Sequence, residues 1–103
     1  MMIIMSLEDR SDRIRHDSSV PVATQVARDI EADITAGRLT PDMRLPNELE
    51  LSQQYGVARM TVRRAIAQLR DKGLVVTIHG RGSWVAPDYE LDAPRTARLR
   101  SLG

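Results

Sequence analysis

Three guanidinium groups, those of Arg59, Arg63 and Arg64, stand close together in GVARMTVRRAIAQL, residues 56–69. A guanidinium is always charged and offers a planar fork of N–H donors, so its chemistry is recognition of phosphate or of an acceptor-rich base edge rather than proton transfer. The stretch reads as a turn followed by a helix, which makes these positions unfavourable. A helix N-terminus carries about half a positive charge and unpaired N–H groups, favouring Asp or Glu there and disfavouring cations by tenths of a kcal/mol. A negative partner must supply what the helix lacks.

The charge distribution points the same way. Residues 57–87 hold 6 basic and 1 acidic residue, whereas the rest of the 103-residue chain holds 9 and 13, so a net charge of +1 conceals a segment at +5. Such a local excess is the footprint of a polyanion partner. Other chemistries fit less well. Gly80-Arg81-Gly82-Ser83 has the glycines of a phosphate-cradling loop, but such loops open a helix, and Pro87 and β-like flanks surround this one. Ser83 and His79 lack a third orienting group for acyl transfer, and Asp88, Glu90 and Asp92 read as a solvated cluster, so no catalytic residue, cofactor or metal site is expected. Without cysteine there are no disulfides or thiolate metal sites, which fits a cytoplasmic protein. The apolar start, MMIIMS, is too short to span a membrane.

The elements that position the arginines can be read from periodicity. Ala23, Val26, Ala27, Ile30 and Ile34 recur at helical spacing between Pro21 and Ala36, with Gly37 suited to end that helix. RLTPDMRLP reads as a loop with at most a short strand near Met43 to Leu45. In PNELELSQQYG, Asn47 and Glu50 form a capping box that opens a helix of roughly two turns burying Leu51 and Tyr55, stopped by Gly56. Val62, Ala65, Ile66 and Leu69 then make one inward stripe; Met60 and Arg64 point away from it, and Arg59 and Arg63 share a flank. LVVTIHGRGSWVAP reads as a β-hairpin, in which Trp84 is expected to pack against the helices rather than stack on a base.

Two short helices joined by a tight glycine turn form a helix-turn-helix, whose second helix enters the DNA major groove by its N-terminal end. Phosphates and guanine edges then complete the arginine cluster. The hairpin becomes a wing, with His79, Gly80 and Arg81 at its tip beside the minor groove or the phosphates. Met60 is either an exposed residue or a contact to a thymine methyl.

The words RLPNELELSQQYGV, ARMTVRRAIAQLRDKGLV and HGRGSWVA, in this order and spacing between about Pro21 and Ala86, resemble the GntR family of bacterial transcription regulators, with a wording most similar to the HutC-type branch. The resemblance implies a winged helix-turn-helix in which Arg59 reads a base, Thr61 and Arg63 bind phosphate or base edges, and Gly80 with its neighbours forms the wing tip. Three positions depart from the family pattern. Leu49 stands where many members carry a DNA-contacting arginine, Ala58 replaces a Ser or Thr cap, and Arg64 replaces a commonly acidic or neutral residue. Members usually continue into an effector-binding, dimer-forming domain, whereas 17 residues follow Ala86 here.

The expectation is therefore an α+β, mainly α fold of three helices and a hairpin wing. A flexible leader is expected over 1–19, the winged domain over 20–87 and a flexible tail over 88–103. The expected function is sequence-specific binding of double-stranded DNA by a transcriptional repressor at an operator, through Arg59, Met60, Thr61, Arg63, Arg64, His79, Gly80 and Arg81. The operator is expected to be an inverted repeat bound by a weak or DNA-induced homodimer. The competing class is a winged helix that binds another protein.

Overall fold

The structure, a computed structural model, describes residues 8–87; the expected tail and the first seven residues of the expected leader lie outside them. Helix α1 spans Val22–Thr35, with Pro21 just before its first turn, and buries Ala23, Val26, Ala27 and Ile30 along one face. Gly37, at φ +82°, takes the left-handed conformation that ends it. The segment 40–45 then turns through Asp42, whose φ of +67° Asp tolerates better than most residues.

Helix α2, Glu48–Tyr55, opens on the expected capping box: the Asn47 side chain accepts from the Glu50 amide and the Glu50 carboxylate accepts from the Asn47 amide, each at 2.8 Å. Gly56 stops it at φ +65°, and a Cβ there would stand 2.9 Å from that of Ser11. Helix α3, Arg59–Asp71, follows at once and buries Val62, Ala65, Ile66 and Leu69, the stripe expected from the spacing. It packs on both α1 and α2, so Tyr55, Leu69, Val26 and Val62 close the core from three helices.

Ala58 has the extended backbone of a helix cap (φ −67°, ψ 152°) but makes no side-chain cap bond. Because the backbone is already poised, Ala58→Ser should raise unfolding stability by about 1 kcal/mol in a urea melt. An unchanged midpoint would count against an unmet cap at this helix start.

Strands β1, Val75–Ile78, and β2, Gly82–Val85, pair antiparallel with Val75 opposite Val85 and Ile78 opposite Gly82. The segment near Met43 to Leu45 joins the other edge of β2. The Val85 amide donates to the Met43 carbonyl at 2.8 Å, the Leu45 amide to that of Ser83 at 2.9 Å, and Arg44 bridges to Trp84. β2 therefore lies between two partners, and Val85 is fully buried beneath them.

Residues 8–19, expected as part of a flexible leader, make defined contacts with the helices. Ser11–Arg13 form a 3₁₀ turn, the Arg10 amide donates to the Gln54 carbonyl at 2.7 Å, and Ile14 joins the core. Arg10 anchors the segment through Nη1, 2.7 Å from carboxylate oxygens of both Asp29 and Asp33 and 3.2 Å from the Tyr55 hydroxyl. Tyr55 in turn donates to Asp29 at 2.6 Å, Arg13 bonds Asp29 at 3.0 Å, and Arg38 bonds Asp33 at 2.8 Å. Burial pushes the Asp29 carboxyl up, but the bonds from Tyr55 and Arg13 and the charge of Arg10 outweigh it and hold it below the usual range. The low apolar content of the run hid this anchorage, which is mostly ionic.

Candidate nucleic-acid interface

The N-terminus of α2, the exposed flank of α3 and the wing enclose an open cleft of about 760 Å³. Its lining includes Arg44, Arg59, Arg63, Arg70 and Arg81, with Glu48 as the carboxylate among them. Arg59 and Arg63 project from one side of α3 because they are a single turn apart, and both lie more than half exposed. Each directs its Nε at Glu48, the first residue of α2. The distances are 2.9 Å from Arg59 to Oε1 and 2.5 Å from Arg63 to Oε2. The Arg63 hydrogen bond is the main reason the Glu48 carboxyl lies below its ordinary range, with slight burial opposing and Arg59 adding to the effect. Glu48 also raises the Arg63 guanidinium, so this group carries its charge throughout.

His79, Gly80 and Arg81 form the wing tip and line the same cleft. Gly80 turns the chain at φ +77°, and the Arg81 amide closes the turn on the Ile78 carbonyl at 2.9 Å. Met60, Thr61 and Arg64 also lie on α3 but outside the cleft lining: Met60 and Arg64 are exposed on its outward face and Thr61 is half-buried in its first turn. The eight expected contact residues thus divide between a cleft wall and the outward start of α3. Leu49 is likewise exposed, next to Glu48.

Three lining residues escaped the reading of the sequence. Arg70 bonds the Thr77 hydroxyl at 3.3 Å, and Thr77 shares a 2.8 Å bond with Ser83 across the hairpin. Arg44 lies over the Trp84 ring at 5.6 Å and donates from Nη2 to the Arg81 carbonyl at 2.6 Å. Its guanidinium also passes so close to Gly82 that a Cβ there would meet Nη2 at 3.0 Å, and Gly82 has a φ of +130° besides. Trp84, expected to pack on the helices, is half-buried beneath this arginine. Glu48, the third, is explained locally by the preference of a helix start for carboxylates, which concealed its second use.

A charge-assisted bond holds the wing tip to Arg44, and a cation–π contact fixes the same guanidinium over Trp84 in β2. Arg44→Ala should therefore lower the local opening free energy of the tip by about 1 kcal/mol, speeding exchange of the Arg81 amide roughly fivefold with little change in the core. Unchanged exchange would count against this attachment.

The model for "Bacterial regulatory proteins, gntR family" matches residues 22–85. Among curated relatives, the HTH-type transcriptional repressor NagR of Bacillus subtilis is 40% identical over 73 residues, which cover 71% of this chain and 30% of NagR. The histidine utilization repressor of Klebsiella aerogenes is 41% identical over 66 residues, covering 64% of this chain and 27% of the repressor. The chain thus spans less than a third of the length of these relatives. Among solved structures, AraR(DBD) in complex with operator ORX1 superposes with a TM-score of 0.66 at 38% identity, covering 71% of this chain and 92% of that one. YtrA from Sulfolobus acidocaldarius, a GntR-family transcription factor, gives 0.67 at 31% identity, covering 86% and 94%. The three helices and wing described above fall within the matched residues, and the chain belongs to the gntR family of bacterial regulatory proteins.

Proposed function

We propose that this chain is a sequence-specific, double-stranded-DNA-binding transcriptional repressor acting in the cytoplasm. The start of α3 enters the major groove, where Arg59 reads a base and Thr61, Arg63 and Arg64 engage phosphates or base edges. His79, Gly80 and Arg81 carry the wing to the minor groove or the backbone. The observation that carries this reading is the cleft itself, whose lining, among the described residues, holds five arginines against the single carboxylate of Glu48. A surface so unbalanced attracts a polyanion, and the spacing of Arg59 and Arg63 suits a groove edge. The repressor names of the relatives and the operator complex of AraR(DBD) support the same reading.

Selection of binding sites from random duplexes, followed by titration of the enriched duplex at several salt concentrations, tests it. A defined motif should emerge. With about four phosphates neutralised per copy, log affinity should fall against log salt with a slope of about −4. If no motif is enriched, the protein-binding reading takes its place, favoured by the exposed Leu49 and Met60 beside the cleft. Two weakly associated copies on an inverted repeat complete the proposal. Light scattering with and without the selected duplex tests that step, and a one-to-one complex on a palindrome would overturn it.

A further inference from the structure

We infer that Glu48 is a specificity-determining positioning residue, whose carboxylate holds the base-reading and phosphate-binding arginines in one fixed arrangement and lowers affinity for DNA of the wrong sequence. This inference rests on the DNA-binding reading and adds a role for a residue that does not itself touch the duplex.

The geometry supplies the reason. Glu48 spends one carboxylate oxygen on Arg59 and the other on Arg63, and both arginines bond it through Nε. Among the described residues, their terminal Nη atoms make no hydrogen bond to protein, so those edges stay available for a ligand. Two like charges one turn apart on a helix repel. The carboxylate between them removes that repulsion, and its place in the first turn of α2 suits the dipole of that helix.

Long arginine side chains adapt readily to whatever acceptor is near, which raises affinity without discrimination. When a wrong base pair faces Arg59, an untethered side chain swings to the nearest phosphate and recovers most of the contact. A side chain held at Nε cannot do so without giving up Glu48. The carboxylate also cancels one of the charges that would attract any phosphate. Both effects weaken binding to arbitrary sequences more than binding to the correct one.

The test compares the wild-type chain with Glu48→Gln, titrating the selected duplex and a random duplex of equal length at several salt concentrations. Glutamine keeps the shape but has one acceptor oxygen, so at least one arginine is released and the cleft gains a positive charge. The random duplex should bind several-fold more tightly, with a salt slope steeper by about 1, while the ratio of selected to random affinity falls about tenfold. An unchanged ratio, with both affinities moving by one factor, overturns the inference.

A role confined to joining α2 to α3 would lower the melting temperature without moving that ratio, and this outcome also overturns the inference. The Nε–H resonances of Arg59 and Arg63, recorded without DNA, should be protected from exchange in the wild type and lose that protection in Glu48→Gln. If the wild type selects no duplex, the DNA reading fails and the specificity role with it. The Nε–H measurement then shows separately whether the clamp exists.

Discussion

Arg10→Ala is expected to lower the unfolding free energy by about 3 kcal/mol, the low end of the range for removing one partner of a buried ion pair. The Arg10 side chain is 12% exposed and faces the exposed Glu8 at 3.8 Å and two partly or fully buried carboxylates, those of Asp29 and Asp33, of which Asp33 is the more buried. Without it, both acids stay in place with fewer partners. The low end applies because Arg13 and Tyr55 still hold Asp29 and Arg38 still holds Asp33. In a domain of this size each kcal/mol corresponds to about 4–8 °C, so a thermal melt should move by more than about 10 °C.

Arg13→Ala provides the comparison. Its partner Asp29 keeps Arg10, and Arg13 is 44% exposed, so a change below about 1 kcal/mol is expected. Equal small losses in the two variants would mean that the 8–14 segment is not docked in solution. The acid limb gives a second check. The folded-state pKa of Asp29 is depressed, so its contribution is fully present above its unfolded pKa of about 3.9 and is lost as pH falls through the lower folded value. Stability should therefore fall below about pH 4 in the wild type, and less steeply once Arg10 is removed.

Arg59→Ala should sharply reduce preference for the selected duplex. A guanidinium fork on the acceptor edge of guanine discriminates by about 1–3 kcal/mol, so the ratio of selected to random affinity should fall roughly 10- to 100-fold, while random duplex loses only the few-fold that one missing charge accounts for. Arg81→Ala should behave differently. It removes a charge at the wing tip, weakening all duplexes alike and making the salt slope shallower by about 1. Measured by titration on both duplexes, equal loss of specific and non-specific binding in both variants would count against these roles.

Much of the fold was legible because its signals are local. Asn47 and Glu50 are three residues apart, the α3 stripe repeats within 13 residues, and Gly56 marks a left-handed stop that the backbone adopts. The docking of residues 8–19 was not legible. It depends on Arg10 meeting residues 19, 23 and 45 positions away, and periodicity carries no information on such partners. The site divides in the same way. Arg59 and Arg63 announced themselves by their conflict with the helix dipole. Glu48 broke no local rule and meets Arg59 and Arg63 only across the turn between two helices, while Arg44 sat in a segment read as loop and gains its neighbours only by pairing with the wing.

The pairing of residues 42–45 with β2 has a consequence for how a duplex is chosen. The chain passes from that pairing through Leu45 and Pro46 directly into α2, so the wing and the helix-turn-helix are laced into one body with a set separation. A duplex whose adjacent grooves do not match that separation must bend or change groove width, and the elastic cost depends on the stiffness of base steps that no side chain touches. On the DNA-binding reading proposed above, selectivity then extends to the bases lying between helix α3 and the wing, written in the flexibility of the DNA.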